Sequence, residues 1–380
     1  MRMWGAFVAV VLAVGPAVGV ADAADDPPLS VPAEELAAAL ECVEPATPDP
    51  AKEPVLLVHG TGVTPEENWS FNYRAVLPEQ GWTTCTVRLP DRALGDIQVA
   101  SEYVVAAVRT MAARAGGPVD VLGHSQGGLE PRWAVRWWPG IRSLVDDLVT
   151  LAAPHHGTVV ADGGCANGCA PAIQQMRPGS KFLAALNEGD ETPGDISYTS
   201  VGTRTDQLVQ PVESTALAGG ATSIILQDLC PGRPVDHVGI VTDAPTFALV
   251  VDAFTSPGPA DVARFDAAQC ADVSFVPPGA GLQGGLEGLR TTDPFDPSLF
   301  APGEEPPLAG YTGAGAAGST TTTTAAAAAG PAAAAAPTPV AATELPRTGG
   351  GLSPLTQVLA GCALLLGVAL WPGRRRRRRS

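Results

Sequence analysis

The chain has 380 residues, 43 of them Gly and 37 Pro, with 39 acidic against 23 basic side chains and a formal charge of −16. At 45% hydrophobic and 16% charged it has material for a sizeable core, and its Gly and Pro content stays below that of a wholly disordered polymer. Only Lys52 and Lys181 are lysines and Arg374 to Arg379 form one terminal run, so no phosphate-neutralising surface is visible and nucleic acid is excluded as a partner.

Residues 1–23 read as a secretory signal peptide. Arg2 supplies the positive n-region, Met3 to Val20 the apolar stretch and Ala21-Asp22-Ala23 a small-residue cleavage site. The alternative is an N-terminal membrane anchor, but Gly15, Pro16 and Gly19 interrupt the stretch and the cleavage site follows it. Export implies an oxidising compartment, in which cysteines pair.

The segment 24–275 is read as one folded domain. Val55 to Val58, Val119 to Leu122 and Leu148 to Leu151 are short apolar runs bounded by turn residues, as buried strands are. Ser197 to Val201 and Ser223 to Gln227 also have strand patterns. Between the runs, Val99 to Arg114 and Gly128 to Trp138 have helical spacing. Alternation of this kind predicts an α/β fold, a mostly parallel sheet with helices on both faces. Trp133 and Trp137 share one helix face, which reads as core packing or, more sharply, as a lipid-contacting patch with Trp138.

Gly123-His124-Ser125-Gln126-Gly127 stands between a predicted strand and a predicted helix. A nucleophilic serine needs such a tight turn, which lifts its hydroxyl above the sheet and leaves no room for side chains at the flanking glycines. Ser125 is therefore the candidate nucleophile, and the helix that follows offers donors to a developing oxyanion. Five histidines compete for the role of base. His124 adjoins the nucleophile, His59 lies in the first strand-to-helix loop, and His155 and His156 follow the Leu148–Leu151 run as loop packing or pocket lining. His237 lies beyond the last strand-like run and is the expected base, because this fold orders its triad Ser, acid, His. Asp206, just past the Ser197–Val201 run, is the expected acid, whereas Asp236 adjoins His237 too closely and Asp195 precedes the strand.

Four segments carry a specific resemblance: Pro54-Val55-Leu56-Leu57-Val58-His59-Gly60-Thr61-Gly62, Gly123 to Gly128, Thr203-Arg204-Thr205-Asp206-Gln207-Leu208-Val209-Gln210-Pro211, and Val235-Asp236-His237. Over roughly residues 40–272 the chain resembles the Candida antarctica lipase B family and its bacterial members. The resemblance implies an α/β-hydrolase with a triad of Ser125, Asp206 and His237. It implies an oxyanion hole built from the backbone of Thr61 and Gln126, with the Thr61 hydroxyl as a further donor. Where that lipase has Trp before the nucleophile this chain has His124, and the family's C-terminal segment with a third disulfide has no counterpart before residue 276. The resemblance suggests disulfides Cys42–Cys85 and Cys230–Cys270, which leaves Cys165–Cys169. In an exported chain a disulfide is preferred there over a zinc site with His155 and His156, so no metal is expected.

Residues 276–344 are dominated by Pro, Gly, Ala and Thr and read as an extended stalk. Leu345-Pro346-Arg347-Thr348-Gly349 is followed by an apolar segment, Leu352 to Trp371, and then by the arginine run. Residues 345–380 resemble the L-P-x-T-G sorting signal of Gram-positive wall proteins. The resemblance implies sortase cleavage between Thr348 and Gly349, attachment of Thr348 to peptidoglycan and transient membrane insertion of the apolar segment as a transmembrane helix. Loss of Arg2 and of the arginine run makes the mature chain more acidic than the raw sequence.

The expected function is that of a secreted, wall-anchored, monomeric serine carboxylester hydrolase acting on acylglycerols or other lipid esters without a cofactor. Two alternatives on the same triad are an envelope-lipid acyltransferase and a polyesterase. A non-catalytic adhesin is the reading from a different class.

Overall fold

The computed structural model describes residues 26–165, 168–277 and 304–313. The segment read as a signal peptide, most of that read as a stalk and that read as a sorting signal, including Thr348, Gly349 and the Leu352–Trp371 segment, lie outside the described residues. Among the described residues no helix is long and apolar enough to cross a membrane.

Seven strands, β1 (Leu40–Val43), β2 (Val55–Val58), β3 (Thr84–Val87), β4 (Val119–His124), β5 (Val145–Leu151), β6 (Ser197–Gly202) and β7 (Thr222–Ile225), form one sheet. Their order is β1-β3-β2-β4-β5-β6-β7. All neighbours are parallel except β1, which runs antiparallel to β3 at the edge. The helices are α1 (Ala33–Ala38), α2 (Pro65–Trp69), α3 (Tyr73–Glu79), α4 (Ile97–Ala115), α5 (Leu129–Trp137), α6 (Val159–Gly164), α7 (Pro171–Gln175), α8 (Lys181–Leu186), α9 (Leu226–Leu229) and α10 (Ala244–Thr255). This is the expected α/β class, an α/β-hydrolase sheet with helices on both faces.

The period-two alternation of each strand divides the core into two layers. Leu56, Val58, Val121 and Leu148 face a layer completed by α4, α5 and α8. Val55, Leu57, Leu122, Val149 and Leu151 face the opposite layer, with Tyr73 and Leu77 of α3 and Leu249 and Val250 of α10. Every residue of β2 and β4 is buried, as central parallel strands require. Asp96 caps α4 by accepting from Gln98 N, and Gly116 ends it in the left-handed conformation.

The three expected cysteine pairs are all present, Cys42–Cys85, Cys165–Cys169 and Cys230–Cys270. The first joins directly opposed residues of β1 and β3. Trp133 and Trp138 are fully buried, so core packing accounts for them.

Residues 304–313, read from composition as part of the stalk, lie against this tryptophan group. Trp133 Nε1–H donates to the Tyr311 hydroxyl at 2.9 Å, and the Tyr311 ring lies 5.0 Å from that of Trp138. The Glu305 carboxylate accepts from Lys181 N and Phe182 N at the start of α8, at 2.8 and 2.7 Å. Gln98 donates to Pro307 O and accepts from Ala309 N. Composition misses this docking because it averages over a region in which one tyrosine and one glutamate have partners.

Asp120, Asp146 and Asp147 gather at the starts of β4 and β5, the end of the sheet opposite Ser125. Burial pushes the Asp147 carboxyl up to about 8, and the charges of Asp146 and Glu53 push the same way. A folded-state pKa above the unfolded one, about 3.9, means the native chain retains a proton that the unfolded chain releases. This contribution to stability is complete below the unfolded value and is lost as pH rises toward 8. Asp147→Asn is therefore expected to melt higher than wild type near pH 8 and equally near pH 4, by thermal unfolding across pH; a wild-type melting curve at both pH values would contradict the assignment.

Candidate active site

Ser125 follows the last residue of β4 and holds φ at 57°, a left-handed conformation that is uncommon outside glycine. The turn is shaped by what surrounds it. A Cβ on Gly127 would lie 2.3 Å from Val58 O and 2.6 Å from His59 O, and one on Gly123 would lie 2.2 Å from Gly127 O. No side chain fits at either position, so both glycines of the motif are needed on steric grounds. After the turn one 3-10 stretch, Ser125–Gly128, leads into α5. The helix predicted to start at Gly128 thus starts one residue later.

The first strand-to-helix loop lies over this turn. A Cβ on Gly60 would come within 3.0 Å of Ser125 Cβ. Gly60 N donates to Asn68 Oδ1, and Arg92 Nε donates to Gly62 O while Arg92 O accepts from Gly62 N. Arg92 also pairs with Glu67, whose carboxylate closes a capping box with Thr64 at the start of α2. The loop carrying Thr61 is thereby held from both sides. The Thr61 hydroxyl donates to Gln126 Oε1, so the two residues expected to form the oxyanion hole are in direct contact.

Asp206 and His237 meet from different loops. Asp206 follows β6, and its Oδ2 lies 2.7 Å from His237 Nδ1, with exposures of 5% and 4%. Asp206 Oδ1 accepts from the backbone of Leu208 and Val209, at 2.7 and 2.8 Å. Burial raises the Asp206 pKa, but the charge and hydrogen bond of His237 and the two amides outweigh it and hold the carboxyl below its ordinary range. The neighbouring motif residues fasten one loop to the other. Thr203 and Thr205 donate to Val235 O, and Gln207 Oε1 accepts from His237 N. Asp236 is turned away, accepting from Gly239 N at 2.6 Å.

The other four histidines have distinct partners. His59 is fully buried, its Nε2 accepting from Leu89 N, and burial lowers its pKa to about 4. His155 is buried between Thr150 and Arg132, and His156 faces Glu191 at the surface. His124 is closest to the reaction centre. Its ring centroid lies 5.0 Å from that of His237, its Nε2–H donates to His237 O at 2.9 Å, and its Nδ1 lies 3.1 Å from Asn68 Oδ1, which accepts from Gly60 N. Burial, then the neighbouring His237, lowers the His124 pKa to about 3, so the ring beside His237 is neutral.

Asn68 and Gln207 are missed by sequence reasoning. Asn68 touches both the Thr61 loop and His124, yet in sequence it is one polar residue inside α2. Gln207 directly follows Asp206, and only the folded loop shows that it accepts from His237 N. Among the described residues one group, Asp120, Asp146 and Asp147, has the ligand spacing of a metal site, and it lies away from Ser125.

No family model matches the chain. Over 244 residues it is 33% identical to lipase B of Pseudozyma antarctica, an alignment that covers 62% of this chain and 71% of that lipase. The crystal structure of Aspergillus fumigatus lipase B superposes with a TM-score of 0.66 at 28% identity, covering 79% of this chain and 76% of the other. With the sheet order, the elbow and these two likenesses, the chain belongs to the lipase B family of α/β-hydrolases and is a serine ester hydrolase.

Proposed function

We propose that the protein is a secreted, wall-anchored lipase that cleaves acylglycerols or other lipid esters through an acyl-enzyme on Ser125. The observation that carries the reading is the buried Asp206–His237 pair, whose base is linked through His124 to a serine held in a strained turn. His237 Nε2 takes the Ser125 proton as Oγ attacks the ester carbonyl. His237 Nδ1–H donates to Asp206, which fixes the tautomer and stabilises the imidazolium. The amides of Thr61 and Gln126 and the Thr61 hydroxyl receive the oxyanion. His237 then protonates the departing alcohol, and water releases the acyl group by the same route in reverse.

The substrate class rests on the relatives, both of which are lipases by name. The polar triad faces an environment from which His59, His124 and His155 add no positive charge near neutral pH, since burial lowers all three. An uncharged ester suits such a site. The expected arrangement is signal peptide 1–23, hydrolase domain 24–275, stalk 276–344 and sorting signal 345–380, with residues 304–313 docked on the domain before the stalk continues. Sortase would act between Thr348 and Gly349 and join the chain to peptidoglycan.

Two measurements test these readings. Ester hydrolysis is expected to fall about 10⁴-fold or more in Ser125→Ala and Asp206→Asn, with the wild type preferring emulsified triglycerides to short soluble esters. Undiminished turnover in either variant would sink the triad, and a preference for short soluble esters would make the protein an esterase. A chain truncated after residue 344 is expected in the culture medium, whereas the full chain is expected in the wall fraction and to be released by a muramidase. Equal partitioning of the two chains would contradict wall attachment.

A further inference from the structure

The elbow contains one buried acid that neither the triad nor the oxyanion donors include. Glu130 lies in the first turn of α5, four residues after Gln126, with 0% exposure. Gln126 Nε2–H donates to Glu130 Oε1 at 2.8 Å, while Gln126 Oε1 accepts the Thr61 hydroxyl. Glu130 Oε2 has no hydrogen-bond partner among the described residues. A buried oxygen without a partner is destabilising, and an aliphatic side chain would fill the same space without that cost. Local packing therefore does not account for an acid here.

We propose that Glu130 is a positioning residue of the oxyanion hole, holding the Gln126 amide so that its carbonyl oxygen presets the Thr61 side chain. The proposal rests on the roles given above to Ser125, Thr61 and Gln126. An amide side chain can turn end for end about its last torsion. With its NH₂ tied to Glu130, the Gln126 oxygen faces Thr61 and keeps Oγ1 on the side of the elbow. Only the hydroxyl hydrogen then has to swing, from Gln126 Oε1 to the oxyanion, as charge develops. Donors set in place before the reaction need no reorganisation during it, which is the main source of oxyanion-hole catalysis. Without the anchor, the amide and the threonine are free to sample other rotamers.

The ionisation of Glu130 gives a signature. Burial pushes its pKa up to about 8, against the opposing hydrogen bonds from Gln126 and its own backbone. Ionisable groups on the elements packed against α5 are engaged elsewhere. Glu102 of α4 accepts from Ser30, Arg109 of α4 pairs with Asp26, Arg142 donates to Val135 O and Arg136 O, and His124 of β4 donates to His237 O. Asp120 lies at the far end of β4, and Lys181 of α8 is exposed. Arg132 of α5 itself is held by Asn187 and Glu191 O. Above about pH 8 the Glu130 carboxylate places a negative charge two hydrogen bonds from the oxyanion, so turnover falls.

The test compares wild type, Glu130→Leu, Glu130→Gln and Ser125→Ala on p-nitrophenyl butyrate, with kcat and KM measured from neutral to alkaline pH and a melting curve for each. Glu130→Leu is expected to lose about tenfold in kcat with little change in KM, and to melt no lower than wild type. Glu130→Gln, which keeps an acceptor oxygen but cannot ionise, is expected to restore most of that loss and to lack the alkaline fall. Wild-type kcat in Glu130→Leu would overturn the proposal, as would an alkaline fall in Glu130→Gln equal to that of wild type, or a kcat loss that tracks a lower melting point. If Ser125→Ala keeps full turnover, the underlying ester-hydrolase site is overturned with it; a Ser125-dependent enzyme indifferent to Glu130 overturns the positioning role alone.

Discussion

The molecule is organised around the close approach of two backbone segments, the turn at Ser125 and the end of β2. Gly127 passes so near Val58 O and His59 O that no side chain could be added to it, and Gly60 lies against Ser125 itself. Because the two segments touch, Ser125 and the Thr61 loop share one frame. The left-handed φ of Ser125 is the local cost of that contact. It is sustained because β2 and β4 are buried along their whole length and paired with each other in register, Val58 opposite Gly123. A strained residue on a floppy edge would relax, and this one sits at the centre of the sheet.

From that frame the polar groups extend as linked side chains rather than as separate contacts. Asn68 accepts from the Thr61 loop and lies against His124, and His124 joins the end of β4 to the carbonyl of His237. Gln207, Thr203 and Thr205 tie the Asp206 loop to the His237 loop. Arg233, buried with Asp243 at the start of α10, donates to Cys270 O, Asp272 O and Val273 O, so the chain around the Cys230–Cys270 disulfide is fixed to α10. Buried polar groups of this kind are costly unless satisfied, which is why so many short-range partners accompany one acid and one imidazole.

The central sheet was legible because four-residue apolar runs such as Val55–Val58 have few other uses in a chain of this composition. The edge was not. In β3 the residues are Thr84, Cys85, Thr86 and Val87, too polar to register as a buried strand, yet all four are buried, with the strand paired between β1 and β2. The turn at Ser125 and the meeting of Asp206 with His237 could be anticipated from order and spacing, since this fold sets a serine after one strand, an acid after a later strand and a histidine beyond the last. Asn68, Gln207 and Glu130 could not, because their partners are many residues away or depend on which face of a helix packs inward. The docking of Tyr311 and Glu305 was hidden for a further reason. Two ordered side chains within a Pro- and Gly-rich region do not alter its average composition.

The claim on which the rest depends is that Ser125 is a nucleophile activated by His237. A fluorophosphonate probe, followed by intact mass and peptide mapping, tests it most directly. A single adduct on the peptide containing Ser125, formed quickly in the wild type and very slowly in His237→Ala, is the predicted result. No adduct, or an adduct on another residue that forms equally fast without His237, would contradict it.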